Sequence, residues 1–128
     1  MEQMEEVTLL MHDYYSGFDE YEAMIISDTK SLKKLYSKIN MTRKPGLPVP
    51  VVDFSTEQVI VLCLGKQHGD NTPILSKSEE TEEHLSLAVS LTSENKDNQV
   101  DTLPISYPFY VYKMPVTFKK IDFKKVNW

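Results

Sequence analysis

Apolar and polar residues alternate with a period of two over much of this chain, which is the pattern of half-buried β-strands. The alternation is most regular from Leu85 to Leu91, where small or polar residues separate the apolar ones. Val59 to Leu64 is instead apolar at every position, which predicts a central strand that is buried on both faces. The other strands are predicted at 7–12, 21–27, 74–77, 109–114 and 119–126.

The positions of the turn residues predict two hairpins. Ser16-Gly17 separates the first two strands, and their closeness in sequence favours antiparallel pairing with each other. Pro115 marks a turn between the last two strands, so the C-terminus is predicted to be a second hairpin.

One amphipathic helix is predicted after Asp28, whose side chain suits the N-cap position. Leu32, Leu35, Tyr36 and Ile39 then follow at the spacing of a single helix face, which we expect to pack on the sheet. Four lysines occupy much of the remaining surface of this helix: Lys30, Lys33, Lys34 and Lys38. They form either a solvated face or a docking patch for an acidic partner.

These elements predict an α+β fold of mainly antiparallel sheet, with about six or seven strands and one helix near the N-terminus packed on the sheet. A parallel α/β fold is not favoured, because one helix cannot supply the crossovers that parallel strands need. The 128 residues fit a single domain, 1–128, with a folded core at 7–126 and a flexible N-terminus at 1–6.

Charge and composition exclude several classes of protein. Lys plus Arg number 14 and Asp plus Glu 19, so the formal net charge is −5 and no nucleic-acid partner is expected. No apolar stretch approaches the roughly 20 residues of a membrane helix, so no transmembrane segment is predicted. The first six residues lack the pattern of an export signal, which predicts either a cytoplasmic protein or one whose signal has been removed.

Residues that carry chemistry do not form a catalytic motif. The three histidines, His12, His68 and His84, lie in different segments, and the single cysteine, Cys63, lies in an apolar strand where a thiol is inert. No Gly-x-Ser-x-Gly sequence occurs, and the four glycines are too dispersed for a phosphate-binding loop. We therefore predict a protein that is not an enzyme and that holds no metal and no cofactor.

The loop from Gly65 to Pro73 places an imidazole, a carboxylate and an amide close together. His68, Gly69, Asp70 and Asn71 are consecutive in it. This combination is compatible with half of a metal site, with an ordinary turn or with a surface that contacts a protein. These four residues are our first candidates for partner binding.

Seven tyrosines in 128 residues favour an interface, since tyrosine suits surfaces that are dry at one end and wet at the other. Tyr14 and Tyr15 precede the Ser16-Gly17 turn, and Tyr110 and Tyr112 lie on one face of a late strand. Each pair is either a recognition surface or part of the aromatic packing between strands. All four are candidate partner-binding residues.

A long connection from Met41 to Glu57 contains three prolines between Pro45 and Pro50, which prevents a helix there. Connections of this length without regular structure are often functional. The segment is either a contact surface or a strap whose Val51, Val52 and Phe54 pack along the edge of the sheet.

Several short motifs follow one another in a fixed order along nearly the whole chain. In chain order they are Ser16-Gly17, Ile25-Ile26, Leu35-Tyr36, Pro50, Val52-Asp53-Phe54-Ser55, Val59-Ile60, Gly65, Gly69, Tyr107-Pro108-Phe109, Val111, Lys113-Met114-Pro115, Ile121 and Phe123. This order resembles the PrcB C-terminal domain-like family, subunits of protease complexes known from the bacterial cell envelope. The Gly-Gly-Tyr loop of that family reads Gly69-Asp70-Asn71 here.

The resemblance implies a non-catalytic accessory domain that helps to assemble or stabilise a partner, such as a protease, at the cell envelope, often within a lipoprotein. We therefore predict a protein-binding or scaffolding module. The alternative is a small-ligand-binding domain, and a hydrolase or metal-dependent enzyme centred on His68 comes third. The resemblance implies the cell envelope or periplasm, and without it the cytoplasm is expected. The sequence does not predict an oligomeric state.

Overall fold

The computed structural model of the protein describes residues 2–3, 6–43, 45–68, 71–93, 104–126 and 128. This part of the chain contains one α-helix, α1, at Thr29–Ile39, followed by a 3₁₀ turn at Asn40–Thr42. No helix among these residues has the length and apolar character that crossing a bilayer requires.

The same residues contain ten β-strands, most of them paired antiparallel. In chain order they are β1 Glu2–Gln3, β2 Thr8–Asp13, β3 Tyr21–Ile26, β4 Glu57–Leu64, β5 Gln67–His68, β6 Asn71–Glu80, β7 His84–Ser93, β8 Ile105–Ser106, β9 Phe109–Pro115 and β10 Lys120–Val126. The predicted α+β class with mainly antiparallel sheet is confirmed. The number of strands is higher than predicted, because β1, β5 and β8 have two residues each and are too short to show a periodic pattern.

Contacts within the chain group it into two compact units, and each has a four-stranded sheet. The first, which we call the helix unit, takes its described residues from 7–66 and 106–116. The second, which we call the strand unit, takes its described residues from 1–6, 67–105 and 117–128. That the two fold as the single domain expected from the length stays a prediction. Strand β5 pairs with β8 in a separate two-stranded sheet.

The sheet of the helix unit has the strand order β2-β9-β4-β3, with every pair antiparallel. Strand β4 lies in the middle, as predicted, and its residues from Val59 to Leu64 are at most 2% exposed. The predicted hairpin of β2 with β3 is wrong, because these strands form opposite edges of the sheet. The reason is burial: β4 and β9 are apolar on both faces and take the centre, whereas β2 and β3 each carry exposed positions.

Helix α1 confirms the predicted N-cap and apolar stripe. The Asp28 carboxylate accepts a hydrogen bond from the Ser31 backbone N–H at 2.7 Å, and this bond lowers the pKa of Asp28. The buried stripe of the helix packs on one face of the sheet, against residues of β4 and β9. The residues in this contact are Leu32, Leu35, Tyr36 and Ile39 of the helix with Val59, Val61, Cys63, Phe109 and Val111 of the sheet.

The proline-rich connection packs partly against the same core. Val52 and Phe54 are half-buried and contact the cluster, as the strap interpretation expects, but Val51 is fully exposed. The Asn40 side chain holds the start of the connection, since its amide donates to the Leu47 carbonyl at 3.0 Å and its oxygen accepts from the Leu47 N–H at 2.8 Å. The connection is therefore anchored at both ends.

The sheet of the strand unit has the order β1-β6-β7-β10. Strands β6 and β7 form an antiparallel hairpin, and the predicted alternation in β7 is confirmed by the burial of Leu85, Leu87 and Val89. Strand β1, which lies in the segment predicted to be flexible, pairs with β6.

The predicted C-terminal hairpin is wrong, because β9 belongs to the helix unit and β10 to the strand unit. Strand β10 runs parallel to β7, which places Ile121 beside Leu85 and Phe123 beside Leu87. Since paired residues of neighbouring strands share a face, the apolar face of β10 extends the apolar face of β7. This match of faces decides the pairing, and closeness in sequence does not.

A carboxylate at the end of β6 is held by two lysines. Glu80 accepts hydrogen bonds from Lys119 Nζ at 2.7 Å and from Lys77 Nζ at 2.8 Å. These bonds lower the pKa of Glu80 from 4.5 to about 2. Because the folded-state pKa is lowered, the stabilisation is present above pH 4.5 and is lost as the pH falls towards 2.

We expect Glu80→Gln to lower the melting temperature at pH 6, with a difference from wild type that shrinks steadily below pH 4.5. Thermal unfolding followed by circular dichroism between pH 3 and pH 7 checks this. Glu79→Gln, which removes the neighbouring exposed carboxylate, is the matched control. A difference for Glu80→Gln that stays constant over the whole range would contradict the role of the two lysines.

Candidate functional site

Three of the four candidate tyrosines lie in one aromatic row formed by β9, β2 and the residue that follows β2. His12 is opposite Tyr110 in the antiparallel register, and their rings stack with centroids 5.2 Å apart. The Tyr14 ring meets the His12 ring edge-on, with centroids 6.0 Å apart, and the Tyr112 ring stacks near the Tyr110 ring, with centroids 6.4 Å apart. His12 was not among the candidates predicted from the sequence, although its spacing of two residues from Tyr14 was a usable signal.

The aromatic row is exposed at its Tyr14 end, buried at Tyr110 and half-buried at its other end, Tyr112. Tyr14 is 56% exposed, whereas Tyr110 is 8% exposed. Burial raises the pKa of Tyr112, and the nearby Tyr110 adds to this effect. The row lies on the face of β9 opposite Phe109, which packs towards α1. Its geometry is that of cross-strand aromatic packing, and its exposed side chains are His12 and Tyr14.

Tyr15 lies apart from this row. Its ring meets the Tyr107 ring edge-on at 5.9 Å, where the two residues form an isolated bridge. Its carbonyl accepts a hydrogen bond from Arg43, whose guanidinium also pairs with Asp13 at 3.2 Å. Tyr15 is therefore fixed in place just after β2, and it is 46% exposed.

The predicted loop from Gly65 to Pro73 is partly strand, because β5 is at Gln67–His68 and β6 already begins at Asn71. His68 is half-buried in β5, and its Nδ1 is buried without a hydrogen-bond partner among the described residues. Asn71 begins β6 and donates to the Gln67 side chain at 2.7 Å. Gly69 and Asp70 lie outside the described residues, so a role for this loop in partner binding stays a prediction. The described residues contain no group of three side chains that could hold a metal ion.

A serine, a histidine and an aspartate meet on the strand unit, at positions that sequence analysis did not connect. The parallel register places Asp122 beside Ser86, and its carboxylate accepts from Ser86 Oγ at 2.7 Å and contacts His84 Nε2. A nucleophilic triad needs the histidine between the other two residues. Here the carboxylate is in the middle, so it does not activate the serine and instead joins β10 to β7.

Cys63 is fully buried in β4, as predicted. Burial, with a smaller effect from Glu22, raises the pKa of its thiol to about 12. The thiolate that a nucleophile requires is therefore not formed at neutral pH.

An apolar groove lies between α1 and the edge strand β3, with a volume of about 550 Å³. Met24 and Ile26 of β3 lie on one side of it and Leu35 of α1 on the other. Phe18 and Met41 complete its apolar lining, and Met41 is 77% exposed. Because these residues come from four separate segments of the chain, no local pattern in the sequence predicts the groove.

Polar groups border the groove on the helix side. Lys34 and Lys38, one turn apart on α1, line it together with Ser31 and Ser37. The Lys38 ammonium lies 4.0 Å from the centre of the Phe18 ring. The groove therefore combines an apolar floor with two positive charges, and two of the four lysines identified from the sequence are at its rim.

No family model, no curated protein and no solved structure matches this chain. The resemblance to the PrcB C-terminal domain-like family therefore stays a prediction from the sequence. The candidate site rests on the geometry of the groove.

Proposed function

We propose that this protein is a non-catalytic binding module, and that the groove between α1 and β3 receives an apolar, acidic segment of a protein partner. The observation that carries the proposal is the groove itself, with its apolar lining and two lysines at one rim. Exposed apolar surface of this kind is typical of interaction sites.

Two physical effects support binding there. Met24, Met41 and Phe18 offer apolar surface, and its burial contributes roughly 25 cal/mol per Å² before the costs of association. Lys34 and Lys38 favour an acidic partner, chiefly by speeding its approach and setting its orientation. Methionine adapts to partners of different shape, which suits a module with more than one binding segment.

The resemblance adds an expectation about the partner. Under it, the segment would belong to a protease or a similar complex at the cell envelope, and this protein would act as an accessory subunit. The groove's chemistry specifies an acidic and apolar segment, which is what the test uses.

Selection of random 12-residue peptides on the immobilised protein tests the proposal. We expect enrichment of peptides that combine acidic with apolar residues. The double variant Lys34→Glu with Lys38→Glu should lower the affinity of these peptides by about tenfold at low salt and by less at high salt. Fluorescence anisotropy of labelled peptides measures this. Lys30→Glu with Lys33→Glu makes the same change of charge on the same helix outside the groove lining.

A second pair of variants tests the apolar floor. Ser37→Trp fills the groove from α1 and should abolish binding, whereas Lys33→Trp adds the same ring elsewhere on the exposed surface of the helix and should not. Peptides that bind Ser37→Trp as well as wild type, or a selection without enrichment, would overturn the proposal.

The volume of the groove supports a second candidate, a small-ligand-binding domain. Sites for small molecules commonly measure about 300–1,000 Å³ and are mostly apolar with a few polar groups. A fatty acid has the required chemistry, because its chain suits the floor and its carboxylate suits Lys34 and Lys38. If laurate raises the melting temperature of the wild type but not of Ser37→Trp, and no peptide is enriched, this second function is the correct one.

A further inference from the structure

Strand β3 is an open sheet edge directly beside the groove. Among the described strands it pairs with β4 alone. The other edge of the same sheet, β2, carries an irregularity in its register between Leu9 and Met11, and such bulges discourage further pairing. Strand β10, an edge of the strand unit, carries lysines that have the same effect. Strand β3 has neither form of protection over its stretch from Ala23 to Ile26.

The backbone groups on this open edge can be assigned from the pairing. The Leu64 N–H donates to the Pro108 carbonyl, so it is directed towards the β9 side of β4. Hydrogen-bonding direction alternates along an antiparallel strand, so Val61, which is paired with Met24, bonds towards β3. The backbone N–H and C=O groups of Ala23 and Ile25 are therefore directed away from β4, towards the open edge.

The side chains of β3 alternate in the same way. Met24 and Ile26, two residues apart, both line the groove. A strand added beside Ala23 and Ile25 would therefore place every second side chain over the groove floor. Lys34 and Lys38 border that same space from α1.

We propose that the partner segment binds as an added β-strand along the open edge of β3, with alternate side chains in the groove. The inference rests on the proposed function and specifies its binding mode. The occupant is an extended segment of another protein that has apolar residues at every second position and an acidic residue level with Lys34 and Lys38. Charge favours this occupant over a second copy of the chain. Pairing of two β3 edges would place Lys34 and Lys38 of both copies at the same interface, where their positive charges repel each other.

Peptides from the selection, with one backbone amide N-methylated at a time, test this binding mode. N-methylation removes a single N–H donor without changing the protein. We expect a period of two: methylation of amides that face β3 weakens binding by about tenfold, and methylation of the intervening amides leaves it within about threefold. Hydrogen exchange of the complex should also show new protection at Ala23 and Ile25, with none at β2.

The possible failures are distinguishable. Peptides that bind with loss at every methylated position, or without new protection of Ala23 and Ile25, would overturn the added strand and leave the binding function standing. A failure to enrich any peptide would overturn the binding function itself. Sedimentation that shows a dimer, with protection of the same two amides in the protein alone, would assign the edge to a second copy and overturn the inference.

Discussion

Replacing Phe109 with alanine is expected to lower the free energy of unfolding by about 3–5 kcal/mol. Phe109 is fully buried at the start of β9, where it pairs with Asp13 of β2 and with Cys63 of β4. Its ring belongs to the cluster that α1 covers, so truncation leaves a cavity bounded by helix and sheet. Both sides are fixed by hydrogen-bonded structure, which limits how far the site can collapse.

Urea unfolding of the variant, followed by circular dichroism, measures this loss. Phe118→Ala is the matched control, because Phe118 is fully exposed and its removal should change stability by less than about 0.5 kcal/mol. The predicted loss is a large part of the roughly 5–15 kcal/mol of a typical domain. If the two variants were equally stable, α1 would not pack on Phe109 as described.

Gly65→Ala is expected to cost about 3 kcal/mol, although it adds a single methyl group. Gly65 follows β4 with a φ of +73°, in the left-handed region that disfavours other residues by roughly 1–2 kcal/mol. A Cβ atom there would lie 2.8 Å from the Tyr21 backbone nitrogen and 3.0 Å from the Glu20 carbonyl carbon. The first residue of β3 would have to move away from the end of β4.

Gly17→Ala separates the two causes. Gly17 has a φ of +81°, but its added Cβ would meet the Lys38 carbonyl oxygen at an ordinary distance of 3.6 Å. We expect only the conformational cost there, about 1–2 kcal/mol. Chemical denaturation of both variants gives the comparison. Equal losses would contradict a close approach between β3 and the end of β4.

Local patterns in the sequence were sufficient to predict the elements whose burial is regular. The all-apolar run predicted β4, the alternation predicted β7, and the N-cap with its apolar stripe predicted α1. Each of these signals depends on the residues of a single segment. Each of these elements could therefore be predicted without knowing which other segments it packs against.

The pairing of the strands could not be predicted in the same way. Strand β10 pairs in parallel with β7 because its Ile121 and Phe123 match the apolar face of β7. His84 and Asp122, which are in contact across this pair, are 38 residues apart in the sequence. Proximity in sequence favoured β9, but β9 is needed in the centre of the other sheet. Each strand has several possible neighbours, and the pairing that forms is the one that buries the apolar faces best. The pattern of a single segment does not contain this information.

The candidate site was predictable only in part. The lysines of α1 were identified as a possible docking patch, and two of them border the groove. The apolar floor was missed, since Phe18, Met24 and Met41 are unremarkable in their own segments. The sequence did not reveal that Tyr14 belongs with Tyr110 and Tyr112, because the His12 ring connects them across two strands that are distant in sequence.

The order of the strands also has a consequence for synthesis on the ribosome. Strands β2, β3 and β4 and helix α1 are translated before β9, which is the strand that pairs with both β2 and β4. Until β9 emerges, the nascent chain holds its most apolar strand with one side unpaired, and such edges promote aggregation. Chaperone capture during translation would protect the chain during this interval.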